Sequence, residues 1–456
     1  MGSDQNGPPA REGSLEAPTR HALDWKNPEF YSEPAVFKEM ERVFDICHGC
    51  RRCFSLCNSF PTLFDAIDNS KTMELDGVAK PVYWEVVDHC YLCDMCYMSK
   101  CPYVPPHEWN VDFPHLMLRA KAIKHQKGET KLTDKILSAT DAVGKFAGIP
   151  IVVHAVNAVN RTTIGRKVLD KVLGVHPTAP IPTYHSRTLR SRLKGRTAST
   201  EAAEAAEAAE AVGTTRGKVA LFATCYGNRN EPELGEDLVA LFEHNNIEVV
   251  IAEKENCCGM PKLELGDLDA VAKLAEVNIP ALVAMIDRGY DIVAPIPSCV
   301  LMFKQELPLM FPEDPLVHKV KAHIFDPFEY LMIRHKGGKL RTDFKKPLGK
   351  VAYHVACHLR VQNIGLKTRD VLSLVPDTTV EAIERCSGHN GTYAVKTRFR
   401  DISMKIGKPV MQRVEASHCD YYASDCPMAG HQIESGLTES RPPTHPLKLL
   451  RIAYGI

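Results

Sequence analysis

Short apolar runs that end at a cysteine recur in the C-terminal half of the chain. Residues 217–225 read GKVALFATC and residues 349–357 read GKVAYHVAC, so nearly the same run occurs twice. Each is followed by a segment of helical length, a second apolar run and a Cys-Cys-Gly or Cys-Ser-Gly element, and later runs at 290–299 and 419–426 again end at cysteine. This alternation predicts two duplicated α/β units with largely parallel sheets, in which ligands collect beyond the carboxyl ends of the strands.

The preceding part of the chain has a helical pattern. Residues 112–196 contain few turn signals and predict a mostly helical segment. Its most apolar stretch, residues 148–159, is short and is interrupted by His154 and Asn157, so we do not expect it to span a bilayer. Residues 199–213 read STEAAEAAEAAEAVG, and this alanine and glutamate run predicts a semi-rigid helical spacer.

Composition narrows the chemistry. Lysine plus arginine and aspartate plus glutamate each total 56 among 456 residues, so no net charge would attract nucleic acid. The chain has 16 cysteines, but disulfides in such number belong to small secreted proteins, whereas this chain is long and its polar N-terminus has no apolar signal core. We therefore expect a cytoplasmic protein whose cysteines are thiolate ligands or redox groups.

The N-terminal cysteines form two closely spaced runs, C-x2-C-x2-C-x3-C and C-x2-C-x2-C-x4-C, the second followed by proline. Three cysteines at this spacing wrap one corner of an iron–sulfur cube, and the more distant fourth ligates the other cluster in two-cluster ferredoxins. We therefore assign one [4Fe–4S] cluster to Cys47, Cys50, Cys53 and Cys101. We assign a second to Cys90, Cys93, Cys96 and Cys57. Two zinc ions are the alternative, but zinc has no need of the third close cysteine in each run.

Taken together, the cysteine motifs resemble a known family. They are CHGCRRCFSLC, CYLCDMCYMSKCP, NCCGMP, IPSCVLM, CSGHNGTY and SDCPMAGHQI. A two-cluster module, a helical connector and two cysteine-rich domains are the plan of the CCG-domain iron–sulfur oxidoreductases. The chain resembles the iron–sulfur subunit of anaerobic glycerol-3-phosphate dehydrogenase, with relatedness to the glycolate oxidase iron–sulfur subunit and to the CCG-containing subunit of heterodisulfide reductase. The family pattern, C…CCG…CxxC, implies a further iron–sulfur centre in each CCG domain.

For the first CCG domain the resemblance implies four thiolate ligands. They are Cys225, Cys257, Cys258 and Cys299. Met302 occupies the place of the family's final cysteine. Four thiolates are enough for one ordinary cluster.

The second CCG domain departs further from the family pattern. It keeps Cys357, Cys386 and Cys426, whereas Ser387 and Ala429 occupy the other two ligand places. Three thiolates are therefore implied as ligands, and a fourth ligand has to come from elsewhere.

Several side chains could supply that fourth ligand. Cys419 is the simplest chemically, whereas the hydroxyl of Ser387 is a harder and far less acidic ligand than a thiol. Imidazole from His389 or His358 is a further candidate, as in Rieske centres. One iron could also be left open for substrate, or the domain could have lost its metal and serve only the fold.

The resemblance implies the electron-transfer component of an oxidoreductase complex. No G-x-G-x-x-G opens a helix after a strand, so flavin or nicotinamide chemistry must come from a partner. We expect a flavoprotein partner similar to glycerol-3-phosphate dehydrogenase. Electrons would then pass through two [4Fe–4S] clusters and one or two CCG clusters to a quinone or another acceptor.

The alternative function is catalytic. A protein like the CCG-containing subunit of heterodisulfide reductase would reduce a disulfide or a similar small substrate at a CCG cluster, and no catalytic residue is assigned for it. Either function fits a location in the cytoplasm or at the inner face of the cytoplasmic membrane.

The expected architecture is α+β and multidomain. Its segments are a disordered tail (1–30), a helical two-cluster ferredoxin-like module (31–125), a helical connector (126–198), the linker (199–216), a first CCG domain (217–340) and a second CCG domain (341–456).

Overall fold

A computed structural model describes residues 18–195 and 211–456 of the chain. The chain divides after Ile123 into two compact units. Most of the predicted alanine and glutamate spacer lies outside the described residues. The chain is described again from residue 211, where Val212 and Thr215 form a β-bridge.

The first unit is built from helices. They are Glu33–Cys50, Ser59–Asp68, Lys80–His89, Met95–Ser99 and Phe113–Gln126, with short 3-10 helices at Pro28–Tyr31 and Leu75–Gly77. Aromatic side chains spaced for burial meet between them: the rings of Phe60 and Phe113 are 4.7 Å apart, and Phe44 packs edge-on against Tyr83 at 5.1 Å. This aromatic core packs together the helices that carry the N-terminal cysteines or adjoin the loops in which they lie.

Residues 18–30 differ from the predicted disordered tail. Leu23, Trp25 and Phe30 are buried in the first unit, and Arg20 is ion-paired to Asp94 and Asp112. The tail prediction is therefore corrected for this segment, because its few apolar side chains and one arginine have partners elsewhere in the unit.

The second unit begins with helical segments, as the pattern of residues 112–196 predicts. They are Leu132–Leu137, Thr140–Ala147, Pro150–Arg161, Thr163–Leu173 and Leu189–Arg192. Gly174 ends the fourth of these with a left-handed residue (φ 64°), as is common at helix C-termini. Buried Arg166 donates to the backbone oxygens of Pro177 and His176, which ties the chain after the helix back onto it.

A four-stranded parallel sheet follows. Its strands are β1 (Lys218–Leu221), β2 (Glu248–Ile251), β3 (Asp291–Val293) and β4 (Ile324–Phe325), in the order β2-β1-β3-β4. Ala220 lies opposite Val250 and Ile292 in the register. The helices of this domain are Cys225–Arg229, Pro232–His244, Met260–Leu265, Leu268–Asp287, Pro297–Leu301, Leu307–Met310, Pro315–His323 and Pro327–Lys336, with a π-helical stretch at Met302–Glu306.

The last domain contains a three-stranded parallel sheet. Its strands are β5 (Gly349–His354), β6 (Thr378–Ile383) and β7 (Tyr421–Ser424), in the order β6-β5-β7. Tyr353 lies opposite Ala382 and Ala423. Its helices are Cys357–Arg360, Lys367–Leu372, Arg400–Ala416, Pro427–Glu434 and Pro446–Tyr454, with a 3-10 turn at Thr397–Phe399.

The two sheets correspond strand by strand. β5, β6 and β7 occupy the positions of β1, β2 and β3, and β4 is an additional edge strand of the first sheet. The predicted pair of duplicated parallel α/β units is confirmed. Parallel strands place all their carboxyl ends at one edge, so the loops that follow each strand meet there.

No single helix in the described parts of the chain is long and apolar enough to cross a bilayer. Two neighbouring segments, Thr140–Ala147 and Val152–Arg161, reach the necessary length and composition only together, and they are bent by 107°.

Candidate metal centres

The first run of cysteines surrounds a pocket in the first unit. Helix Glu33–Cys50 ends because Arg51 adopts a left-handed conformation (φ 52°), and its N–H donates to the oxygen of Cys47 at 2.8 Å. The chain then turns back, and Cys47, Cys50, Cys53 and Cys101 all line a pocket of about 300 Å³ that includes its open mouth. The remaining wall is largely apolar, with Phe60 and Phe64 among its side chains. The structure thus brings together the four thiols assigned to one cluster.

The electrostatics of this pocket suit a bound cation. Burial raises the pKa of Cys47 well above its usual value, and the nearby thiols of Cys53, Cys101 and Cys50 raise it further. Burial likewise raises the pKa of Cys53 to about 12. Clustered thiolates repel one another in a poorly solvated pocket, so a metal centre that supplies positive charge would favour their ionised form.

The second run is also gathered into one place. Burial raises the pKa of Cys96 well above its usual value, and Cys53, Cys93, Cys90 and Cys57 add to the effect because they lie close by. Cys57 lies near members of both runs, because it acts on Cys53 of the first as well as on Cys96 of the second. Cys53 interacts with members of both groups, so the two groups adjoin.

Arg20 holds the loop of the second run, and sequence reasoning missed it. Leu92 and Asp94 both have positive φ (53° and 59°), which gives the loop its tight turn. Arg20 pairs with Asp94 at 2.5 Å and with Asp112 at 2.9 Å, and the side chains of Arg20 and Asp94 are only 5% and 4% exposed. A single arginine in a polar tail has no periodicity that would have marked it.

The cysteines of the first CCG domain follow the carboxyl ends of β1, β2 and β3. Cys225 and Cys257 have their sulfur atoms 4.0 Å apart. Hydrogen bonds with Cys257 and Cys299 raise the pKa of Cys258 well above its usual value. All four predicted thiols of this site, the fourth being Cys225, are therefore brought together.

Neighbouring side chains fix the backbone of the Cys-Cys pair. The N–H of Cys257 donates to Asp141 at 2.7 Å, and buried Asn278 donates to the oxygen of Cys257 at 3.0 Å. Hydrogen bonds from Cys225 and Cys258, with smaller contributions from Thr140 and the Gly259 N–H, lower the pKa of Cys257 well below its usual value.

Met302 fills the place of the family's final cysteine. Its side chain is fully buried, and its methyl carbon lies 3.5 Å from the position that a Cβ on Gly259 would occupy. It packs against the Cys-Cys-Gly turn and leaves the four thiols as the ligand set.

Three thiols of the second CCG domain follow its strands in the same way. Cys357 follows β5, Cys386 follows β6 and Cys426 follows β7. Burial raises the pKa of Cys357, and Cys386 and Cys426 raise it further, so these groups lie close together. Cys386 also accepts a hydrogen bond from the N–H of Gly388 at 3.3 Å.

Cys419 does not join these thiols, which corrects the prediction that it could be their fourth partner. It precedes β7, whereas Cys426 follows it, and four strand residues span about 13 Å. Cys419 is buried in an apolar cluster with Tyr422 and Ile433. Arg441 donates to its backbone oxygen at 2.7 Å and to its sulfur at 3.1 Å.

Ser387, His358 and His389, the remaining candidate ligands of the second CCG site, differ in what they contact. Ser387 accepts the N–H of His389 at 3.3 Å, so its oxygen serves the local turn. Nδ1 of His358 is 2.8 Å from the hydroxyl of Ser298 in the first CCG domain. Both ring nitrogens of His389 are shielded from solvent and have no hydrogen-bond partner.

Within the described ranges, no three His, Cys, Asp or Glu side chains are close enough to hold a single metal ion.

Comparison with known proteins bears on these sites. The model of the CCG cysteine-rich domain matches twice, at residues 219–304 and 351–434, which contain the thiols of the two CCG sites. Lactate utilization protein A of Bacillus pumilus is 30% identical over 220 residues, or 46% of this chain and 87% of that protein. The chain belongs to the CCG cysteine-rich domain family.

Other relatives match over more of the chain. One subunit of the anaerobic glycerol-3-phosphate dehydrogenase of Escherichia coli is 27% identical over 345 residues, which is 75% of this chain and 82% of that protein. One subunit of the fumarate reductase (CoM/CoB) of Methanothermobacter marburgensis is 28% identical over 406 residues, covering 85% and 68%. The predicted resemblance is confirmed, and these CCG relatives support iron–sulfur clusters as the cofactor class and a redox complex as the setting.

Proposed function

We propose that this chain is an iron–sulfur electron-transfer subunit, which receives electrons from a flavoprotein dehydrogenase and passes them to a quinone or another acceptor. The observation that carries the proposal is that the two groups of thiols in the first unit adjoin. Cys101 lines the pocket of the first run, and Cys53 and Cys57 act on thiols of both runs, which supports an exchange of fourth cysteines between two clusters. Two clusters held in this way adjoin, which suits electron relay.

The residues of the chain have defined roles in this proposal. Cys47, Cys50, Cys53 and Cys101 would hold one [4Fe–4S] cluster, and Cys57, Cys90, Cys93 and Cys96 would hold the second. When bound, the clusters supply one-electron carriers. The apolar wall of the first pocket, with Phe60 and Phe64, would limit water at the cluster and so influence its potential.

The partner and acceptor are inferred from chemistry and from relatives. The fold contains two parallel sheets with cysteine-bearing loops, and no G-x-G-x-x-G sequence follows a strand in the described ranges. A relative that is a glycerol-3-phosphate dehydrogenase subunit supports a flavoprotein of that kind as the electron donor. The donor site would then be on the partner, and this chain would carry the electrons onward.

The test is the iron and acid-labile sulfide content of the anaerobically purified protein, with EPR of the reduced form. We expect about eight irons from the first unit and about four more from each occupied CCG site. The variant Cys50→Ala should remove or convert one N-terminal cluster and leave the CCG signals unchanged. A protein without labile sulfide would contradict the proposal.

A second function is favoured by one specific observation. The second CCG site has three thiols and two family ligand places without a thiol, so a substrate could reach an iron there. A disulfide reductase would use such a site. The purified chain, chemically reduced and without any partner, should oxidise on addition of a disulfide only if this second function holds.

A further inference from the structure

The second CCG site needs a donor that the family pattern does not provide. Ala429 has no donor side chain, and the oxygen of Ser387 accepts a backbone N–H at 3.3 Å. Cys419 lies at the other end of β7. The donors already in place are the thiols of Cys357, Cys386 and Cys426.

A tight turn fixes the position of His389, three residues after Cys386. Gly388 has φ +74°, and a Cβ there would lie 2.1 Å from the backbone oxygen of Ser403. The hydroxyl of Ser403 donates to the oxygen of Gly388 at 2.7 Å. The turn is therefore held against helix Arg400–Ala416 on one side and by Cys386 on the other.

The imidazole of His389 is buried without any hydrogen bond. Neither ring nitrogen has a partner, although both are shielded from solvent. Buried polar groups are normally hydrogen-bonded, and an unmet one commonly marks the place of a water or an ion. Burial, with the nearby charges of His431, Arg400 and His358, lowers the pKa of His389 to about 4. The ring is then neutral at pH 7, which is the form that binds metals.

The side chains around His389 belong to the segments that carry the other two thiols. His358 directly follows Cys357, and His431 lies on helix Pro427–Glu434, which begins directly after Cys426. Both act on His389. The charges that act on His389 thus come from the segments next to Cys357 and Cys426 and from Arg400, which begins the helix that packs against the turn.

Other histidines near the site have ring nitrogens that are hydrogen-bonded. Nδ1 of His358 is bonded to Ser298, and both nitrogens of His431 are paired, with Glu231 and Glu434. His354 is bonded to Ser424 and to the oxygen of Arg385. His389 differs because neither of its ring nitrogens has a hydrogen-bond partner, so its one lone-pair nitrogen is available to a metal.

We propose that His389 supplies a nitrogen ligand to the iron–sulfur centre held by Cys357, Cys386 and Cys426. The inference rests on one part of the proposed function, which is that the second CCG site holds a cluster. An imidazole in place of a thiolate removes one negative charge from the centre and raises its reduction potential, as in Rieske centres. The second CCG site would then be the higher-potential end of the electron pathway, next to the acceptor.

The test is pulsed EPR of the full chain, purified anaerobically, with ¹⁴N-histidine or ¹⁵N-histidine incorporated. The redox state is poised so that the second CCG centre is paramagnetic; Cys357→Ala identifies its signal by removing it. We expect a directly coordinated nitrogen coupling that changes with the isotope. His389→Cys should keep the iron content, lose that coupling and lower the midpoint potential of this centre alone.

The matched control is His431→Gln, which changes a nearby histidine whose nitrogens both have partners. It should keep the nitrogen coupling. The proposal is overturned if the wild type shows no histidine coupling at this centre, or if the coupling persists in His389→Cys. It is equally overturned if Cys357→Ala removes no iron while the N-terminal clusters are present, and that result would leave the proposed relay through the first unit intact.

Discussion

At the scale of single residues, the described structure separates cysteines that the sequence presents alike. Cys419 and Cys426 lie seven positions apart and flank the same strand, yet only Cys426 is at the edge where the other thiols meet. Chain spacing does not reveal which end of a strand a residue occupies until the strand itself is placed. That is why Cys419 could be considered a ligand from the sequence and is excluded by the fold.

Substituting Cys419 and substituting Cys426 should affect the iron content differently. Cys419→Ala should leave the iron content unchanged and cost about 1 kcal/mol of stability, because it removes one small buried group from an apolar cluster. Cys426→Ala should lower the iron content by up to about four atoms per chain. Iron analysis and thermal unfolding of both variants make the comparison. Equal iron loss in the two would contradict the placement of Cys419.

Arg20 gives a second prediction at this scale. Arg20→Ala would remove the guanidinium that pairs with the buried carboxylate of Asp94, which should destabilise the first unit by about 3 kcal/mol and speed the loss of iron. The control is Glu39→Gln, which breaks the exposed pair with Arg42, whose side chains are 41% and 38% exposed. That change should cost less than about 1 kcal/mol. Urea unfolding and the rate of cluster bleaching measure both effects, and similar values for the two variants would refute the role of Arg20.

At the scale of elements, backbone conformation explains why both the Cys-Cys-Gly and the Cys-Ser-Gly turn contain a glycine. Gly259 and Gly388 both have positive φ, at +103° and +74°. Each lets the chain turn in the loop that follows β2 or β6, directly after the cysteines of that loop. The repeat in the sequence therefore reflects one backbone requirement that occurs in both domains. Because the turn depends on its glycine, the turn is kept with a serine at position 387, where the first domain has a cysteine.

The glycine of the second turn should tolerate alanine poorly, and a glycine outside the turns provides the reference. Gly388→Ala should cost at least about 2 kcal/mol, because left-handed strain adds to a clash with the Ser403 backbone. Gly338 has a similar φ (+69°), and no atom lies within 4 Å of the position that a Cβ would occupy there. Gly338→Ala should therefore cost about 1 kcal/mol. Chemical denaturation of each variant provides the measurement. A smaller loss for Gly388→Ala than for Gly338→Ala would contradict this packing.

At the scale of the whole molecule, the sequence predicted the parts with regular patterns. The repeated apolar runs predicted the paired parallel sheets, and the cysteine spacing led to the two ligand sets proposed for the first unit. β4 could not be foreseen, because two residues at a sheet edge carry no pattern of their own. The packing of Trp25 and Arg20 was missed for a similar reason. Single residues in a polar segment form no pattern, so their contacts become visible only in the folded structure.

Among the ion pairs that join the two CCG domains, the one made by His431 makes their stability depend on pH. His431 of the second domain lies 3.2 Å from Glu231 of the first, and this hydrogen bond, with help from Glu434, raises the pKa of His431. The contribution to stability is therefore complete below the unfolded pKa of about 6.5 and is lost as the pH rises through the raised folded value. Because the imidazole is 41% exposed, we expect less than about 1 kcal/mol.

Unfolding of the wild type and His431→Gln between about pH 6 and about pH 9 tests this dependence, because the range brackets the titration of histidine. The wild type should lose stability relative to the variant as the pH rises. If the two curves stay parallel over this range, the domain contact does not titrate as described.

The positions of the cysteines also determine when each centre can be assembled during synthesis. Cys47, Cys50 and Cys53 lie within seven residues of one another, so a short piece of chain can present three sulfurs before the rest has emerged. Cys225, Cys257 and Cys299 belong to the ends of three different strands and meet only after β1, β2 and β3 have paired. Parallel pairing over such separations is slow because long loops must close first. Under the proposed function, iron delivery to the CCG sites would have to wait for the sheet, whereas the proposed N-terminal sites could begin to load on a nascent chain.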